Sequence, residues 1–253
     1  MISEVHNIDC NLFMKELPDK FFDLAIVDPP YGIGQGGKKI NSKTFRSDGS
    51  RIPKFDKRNG AKIITKEKCY HNNYKDEHPP DEEYFWELNR VSKNMIIWGA
   101  NHFLDRMPFL LDSPCWIVWD KVNGETDQSD CELAWTSFTT AVRQVTFMWN
   151  GFTQGIGTVN GHINQGNKSL CELRIHPNQK PVSLYKWLLK NYAKPGDKIF
   201  DSHMGSQSSR IAADEMGFDY WGCELDPDYF RDGCKRFEQY KAQLKLFISS
   251  PEL

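Results

Sequence analysis

The chain has 253 residues, 39% hydrophobic and 26% charged, which is enough for one α/β domain with an insertion and typical of a water-soluble globular protein. No apolar stretch approaches the ~20 residues needed to cross a bilayer, and the first residues have neither the basic nor the apolar region of a signal peptide. A cytoplasmic protein without membrane association is therefore expected. Seven cysteines with no Cys-x-x-Cys pair suit free thiols in a reducing compartment and argue against a disulfide framework. Cys69, His71 and His78 are potential ligands in one loop with no second cysteine pair, so no metal site is expected. The net charge of −2 averages over a split. Lys38 to Lys68 holds eleven basic against three acidic residues, a net of +8, while the C-terminal third is rich in acids.

In chain order, Asp9 to Leu17 reads as a short helix. Asp23-Leu24-Ala25-Ile26-Val27 is a continuous apolar run and predicts a buried parallel strand. It meets Asp28-Pro29-Pro30-Tyr31, whose prolines fix φ and cannot donate ladder hydrogen bonds, so the strand stops there in a rigid turn. In open α/β sheets the carboxyl end of a strand is where ligands bind. Gly32 to Pro80 is polar and aperiodic, and a loop this long is usually functional or disordered. Asp81 can start a helix that carries Phe85, Leu88 and Val91 on one face. Asn94 to Gly99, Cys115 to Trp119 and Leu133 to Trp135 read as further strands. Pro114-Cys115 opens one of these apolar strands, which assigns its thiol to the core. Gly151 to Gly166 reads as a Gly- and Asn-rich loop.

From Pro181 the pattern alternates cleanly. A helix bearing Leu184, Trp187, Leu188 and Tyr192 leads to a strand, Lys198 to Asp201, then a loop and a helix through Ile211 to Met216. Tyr220 to Glu224 is a strand ending in an acid, and a long helix begins at Pro227. Strand, glycine loop, helix, strand, acid is the layout of a nucleotide-binding βαβ unit. Gly205 and the small residues around it let the backbone approach a ligand, and the following helix N-terminus offers N–H donors. Glu224, 23 residues after Asp201, stands where a carboxylate can accept from both ribose hydroxyls.

With these pieces in place, the chain resembles the β-class amino-methyltransferases of DNA. Asp28-Pro29-Pro30-Tyr31 resembles the family's catalytic tetrapeptide, and His176-Pro177-Asn178-Gln179-Lys180-Pro181 its His-Pro-Thr-Gln-Lys-Pro motif, the most specific of the matches. Asp201 to Gly205 is similar to its Asp-Pro-Phe-x-Gly cofactor loop, Gly222 to Asp226 to its ribose-binding strand, and Asp9-Cys10 to a segment near the cofactor adenine. Asp120-Lys121 matches a moderately typical mid-chain position. Ser202-His203 departs from Pro-Phe, and Gln207 stands where a second glycine is common, at a cost if its φ is positive.

The resemblance implies a Rossmann-like α/β fold with a central mostly parallel sheet, helices on both faces and a circularly permuted motif order. Residues 1–253 would form a single methyltransferase domain, with a basic DNA-contacting insertion at about 35–80 and a short target-recognition region at about 139–175. The implied cofactor is S-adenosyl-L-methionine, bound by Asp9, Cys10, Asp28, Gln179, Lys180, Asp201, His203, Met204, Gly205, Ser206, Glu224 and Leu225. The implied partner is double-stranded DNA, with a homodimer and a cognate restriction endonuclease left open.

An exocyclic base amine is a weak nucleophile because its lone pair is delocalised into the ring. Asp28 and the Pro29 carbonyl are expected to accept its two hydrogens, Pro30 to stiffen the turn and Tyr31 to stack on the flipped base. Methyl transfer would then rest on positioning and electrostatics. Asp in the first motif position favours N6 of adenine in the family. N4 of cytosine is the alternative, as is a DNA-binding relative with impaired catalysis. A nicotinamide dehydrogenase is disfavoured because Gly-x-Gly-x-x-Gly is missing. Neutralising several basic residues between Lys38 and Lys68 should weaken DNA binding and flatten its salt dependence. Binding titrations over a salt series would check this, and an unchanged slope would exclude phosphate contacts there.

Overall fold

The apolar runs fix the architecture. The computed structural model describes residues 1–33, 78–107, 112–122, 129–150, 153–155 and 172–248. The basic stretch Lys38 to Lys68 lies outside the described residues, as do residues 151–152 and 156–171 of the expected target-recognition region. Within them the chain runs β1 (Ser3–His6), α1 (Cys10–Lys15), β2 (Phe22–Val27), α2 (Glu82–Val91), β3 (Ser92–Trp98) and two 3-10 turns (Ala100–His102, Leu104–Arg106). There follow β4 (Trp116–Asp120), β5 (Cys131–Thr136), β6 (Arg143–Thr146), β7 (Met148–Asn150) and β8 (Thr153–Gly155). The final run is α3 (Val182–Tyr192), β9 (Lys198–Asp201), α4 (Ser208–Met216), β10 (Asp219–Cys223) and α5 (Pro227–Ile248).

Eight strands form one sheet in the order β1-β10-β9-β2-β3-β5-β4-β6, and β7 pairs with β8 in a separate ribbon. Pairing is parallel from β1 through β3. Strand β5 runs antiparallel between β3 and β4, and β6 lies parallel to β4. The expected mostly parallel sheet is present, and its central strands are apolar on both faces for the reason the sequence indicated: helices cover both sides. Leu24, Ile26, Ile96 and Trp98 pack with Leu184, Leu188, Ile211 and Phe237 of α3, α4 and α5 on one face. Ala25, Val27, Met95 and Ile97 pack with Met14, Phe85, Leu88 and Val91 of α1 and α2 on the other.

Local chemistry sets the helix starts. The Asp81 side chain accepts from the Tyr84 N–H at 3.0 Å, and Glu82 and Glu83 complement the positive end of α2. Asp9 caps α1 in the same way through the Asn11 N–H at 2.7 Å. Short strands that mix polar and apolar residues escaped the sequence reading. Edge strand β1 is four residues long and only half-buried, and β8 falls inside the stretch read as a loop. Among the described residues no helix is long and apolar enough to cross a membrane.

The loop between β9 and α4 shows how one departure is accommodated. Gln207 adopts φ 59°, the left-handed conformation for which glycine is the common choice. Its side chain lies over Gly233 of α5, where an added Cβ would come within 2.8 Å of Gln207 Cγ and 2.9 Å of the Gly205 carbonyl oxygen. Alanine inside a helix ordinarily gains about 1 kcal/mol over glycine. Here overpacking against a backbone carbonyl, about 1–3 kcal/mol, should outweigh that gain. Gly233→Ala is therefore expected to lower the urea midpoint of unfolding, and a raised midpoint would show that the loop yields freely.

Candidate active site

Strand β2 ends at Val27, and the Asp28 turn follows it at the carboxyl edge of the sheet. Neighbouring β9 is parallel to β2, with Ala25 opposite Phe200, so Asp28 and Asp201 leave the same edge side by side. The Asp28 carboxylate is the hub of a buried charge network. Its Oδ1 accepts from the Tyr31 hydroxyl at 2.8 Å and lies 2.5 Å from Lys180 Nζ. The same ammonium reaches Glu132 Oε2 at 3.1 Å and the Tyr31 oxygen at 3.1 Å. An ammonium has three N–H donors, and these three acceptors use them all. Glu132 is held from its other side by Lys121, 2.5 Å from Oε1. Asp28, Lys180, Glu132 and Lys121 thus alternate in sign through a region where the Lys180 side chain is only 4% exposed.

Burial raises the Asp28 pKa; Lys180 pulls it back and Glu132 pushes it up again, so its carboxyl stays above the ordinary range. Burial also acts to raise Glu132, but Lys180 and Lys121 together hold it down at about 2. Burial disfavours the Lys180 ammonium, yet Asp28 and Glu132 raise its pKa overall. The network therefore contains a firm Glu132–Lys180 pair and a weaker acid in Asp28. The closest contacts of Tyr31 and Lys180 with Asp28 both fall on Oδ1.

The ring of Tyr31 is set by β3 and the turn after it. It stacks on His102 with centroids 5.0 Å apart and planes at 17°. A Cβ on Gly99, which has φ 68°, would sit 2.1 Å from Tyr31 Cε1. Only glycine lets that ring lie so close to the backbone.

The second strand end holds the expected loop. Asp201 is buried, its Oδ1 accepting from the His203 N–H at 3.1 Å and its Oδ2 from the Ser209 hydroxyl at 2.6 Å. Burial pushes its carboxyl up to about 7. Glu224, just past β10, accepts from the Gly205 N–H through Oε2 and from the Asp226 N–H through Oε1, each at 2.9 Å. Met204 donates its N–H to the Cys223 carbonyl at 3.0 Å, tying the loop to β10. Ser206 Oγ lies 3.1 Å from Ser208 Oγ. The Ser202-His203 departure has partners of its own: Ser202 Oγ is 2.8 Å from His203 Nδ1 and 2.6 Å from the Tyr84 hydroxyl. Burial lowers the His203 imidazole to about 4, so it is neutral near pH 7. Cys10, beside Asp9, is a half-buried thiol pushed up to about 12 by desolvation and the Asp9 charge.

The segment before α3 divides its work. Gln179 is buried; its Oε1 accepts from the Ile175 N–H, its Nε2 donates to the Leu173 carbonyl and its own carbonyl accepts from Trp149 Nε1 at 2.8 Å. It shapes the backbone, while Lys180, expected toward the cofactor, is engaged with Asp28 and Glu132. Glu132 and Gly99 escaped the sequence reading. The available signal for Glu132 was an acid ahead of the apolar run Leu133-Ala134-Trp135 on a strand. Among the described residues no cluster of His, Cys, Asp and Glu could hold a metal ion.

A mostly parallel sheet covered on both faces, with an acid-ended glycine loop and a second acid one strand on, is the architecture of the class I-like methyltransferases. The chain belongs to the N6/N4 DNA methylase family, whose sequence model matches residues 54–235. It is 25% identical over 284 positions to the type II methyltransferase M.HinfI of Haemophilus influenzae, covering 97% of this chain and 72% of that protein. It is 22% identical to the type II methyltransferase M1.MboII of Moraxella bovis, covering 90% and 94%. Solved structures share the fold. They include a DNA modification methylase, TTHA0409, of Thermus thermophilus (TM-score 0.54, 16% identity, covering 94% of this chain and 95% of that one). The M1.HpyAVI–SAM complex matches at TM-score 0.51 and 18% identity, covering 93% and 100%. The cytosine-N4-specific PvuII DNA methyltransferase matches at TM-score 0.51 and 12%, covering 92% and 85%.

Removing Lys180 would leave two buried carboxylates facing one another. Breaking a buried pair in this way costs about 3–5 kcal/mol, so Lys180→Met should lose stability on that scale in urea at neutral pH. In the variant the two acids repel, which raises a folded-state pKa, so its deficit should shrink as the pH is lowered and one of them takes a proton. A loss below about 1 kcal/mol would mean that water solvates the pair.

Proposed function

We propose that this chain transfers a methyl group from S-adenosylmethionine to the exocyclic N6 amine of an adenine flipped out of double-stranded DNA. The observation that carries the proposal is Asp28, a largely buried carboxylate at a strand end whose nearest contacts fall on one oxygen. Asp28 Oδ2 would accept one amine hydrogen and the Pro29 carbonyl the second, favouring a pyramidal nitrogen with its lone pair exposed. Pro29 and Pro30 hold the turn rigid, so little reorganisation is needed. Tyr31, fixed by Asp28, His102 and Gly99, would provide the stacking face. Flipping the base costs a few kcal/mol, which such contacts offset.

The residues present suit the cofactor. A carboxylate has about four lone-pair sites; Glu224 uses two on backbone amides, which leaves capacity for ribose hydroxyls. Leu225 beside it is an apolar side chain 68% exposed, available to cover a purine ring. Gly205, with φ 43°, Met204 and Ser206 would line the amino-acid end, with Asp201 and His203 shaping the loop beneath and Asp9 and Cys10 flanking it. When bound, S-adenosylmethionine supplies an electrophilic methyl group on a sulfonium. The basic insertion would contact phosphates on either side of the flipped base, and a region between 139 and 175 would read the sequence.

Asp in the first position of the tetrapeptide supports adenine over cytosine. Asp28→Ala should abolish transfer of labelled methyl to DNA while leaving calorimetric cofactor affinity unchanged within about twofold, as expected when an interaction made only in the transition state is removed. An undiminished rate would sink the assignment. Mass spectrometry of nucleosides from the methylated DNA should show N6-methyladenine, and N4-methylcytosine would transfer the same chemistry to the other base. A wild-type chain that binds DNA but no cofactor would instead be a binding module.

A further inference from the structure

We infer that Glu132 is a positioning residue for methyl transfer, acting by drawing Lys180 toward itself so that Asp28 keeps one oxygen free to accept the target amine. The inference rests on the proposed role of Asp28. It begins from an inventory of donors. Asp28 is faced by Lys180 ahead of α3, Tyr185 on α3, Tyr31 on its own turn, Asp201 on β9 and Glu132 on β5. Of these, Lys180 is the one cation, and a lysine beside a lone carboxylate is free to occupy either of its oxygens. Glu132 prevents this by taking one of the three N–H donors at 3.1 Å. The Tyr31 oxygen takes another, and the last falls on Asp28 Oδ1.

Glu132 cannot swing away from this task, because Lys121 grips its other oxygen at 2.5 Å. The Tyr31 hydroxyl donates to Oδ1 as well, so the nearest contacts of both neighbouring donors fall on the same oxygen. The four charged groups sum to zero, which keeps Lys180 and Glu132 ionised without solvent. Glu132 comes from the antiparallel strand β5, whose Leu133 carbonyl also accepts from the Gly99 N–H at 2.9 Å. A largely buried charge there is costly unless it is paired, and Ala134 two residues on is an apolar, fully buried member of the same strand.

Glu132→Gln keeps the shape and removes the charge. Lys180 should then bond Asp28 through both oxygens, and the like charge that raises the Asp28 pKa is gone. The expected kcat falls by about tenfold or more, as misplacement of a reacting group does, with Kd for S-adenosylmethionine unchanged. The acidic limb of the pH–kcat profile should move to lower pH, and the Asp28 carboxyl, followed by carbon-13 NMR and identified with Asp28→Asn, should titrate lower. Support of the fold alone would move neither midpoint, so a fall in kcat with both midpoints unshifted overturns the inference, as does a wild-type kcat. If Glu132→Gln does not fold, Glu132→Asp serves. It keeps the charge but shortens the reach to Lys180, and should lose part of the wild-type kcat while leaving the Asp28 midpoint raised; full activity from it counts against the inference. An inactive wild-type enzyme would overturn the methyl-transfer reading itself, whereas an active one with an indifferent Glu132 overturns this inference alone.

Discussion

The Lys180 ammonium, shared between Asp28 and Glu132, is the interaction around which the proposed catalytic end of the molecule is arranged. A buried ammonium is tolerated only when its charge and its hydrogens are both answered. Here three acceptors from two parts of the chain answer it: Asp28 and Tyr31 in the turn after β2, and Glu132 on β5. Because each partner is itself anchored, by Lys121 or by the ring packing around Gly99, the arrangement behaves as one unit. Lys180 offsets part of the penalty that burial places on the Asp28 charge, although the carboxyl stays above its ordinary range.

The proposed cofactor end follows a different logic. Among the described residues no cation is paired with Asp201 or Glu224, and backbone amides and a serine hydroxyl hold them instead. The consequence is visible in their acidity. Burial lifts Asp201 to about 7, and Glu224 is raised for the same reason. Carboxylates held by neutral donors keep unused lone pairs, which suits a ligand rich in hydroxyl and amine donors. The departures from the family's loop are absorbed locally. Ser202 and His203 bond each other and Tyr84, and Gln207 fits over Gly233.

Much of this was legible in the chain. The β2 run and its proline turn, the β9 loop with Gly205, and Glu224 after β10 all announce themselves through local rules: apolar period, φ restriction and acid placement. The helices α2, α3 and α4 did so too, by facing their apolar residues one way. Edge strand β1 and the short β6 to β8 did not, because strands of three or four residues mixing polar and apolar side chains carry little periodic signal. Gln207 was legible as an oddity, but whether its left-handed backbone could be accommodated depended on a glycine 26 residues away.

The sequence by itself determined where strands stop and which loops can approach a ligand, since those depend on residues adjacent in the chain. Only the tertiary structure decided what Lys180 does. Residues 28, 132 and 180 meet because β5 inserts antiparallel beside β3 and because the segment ahead of α3 folds back over the sheet. Charge pairing is a matter of distance in space, and nothing in the local pattern around any one of the three specifies its partners. The Asp28 turn with which the site begins is therefore written in four consecutive residues, and the meeting of Lys180 with Asp28 and Glu132 in none of them.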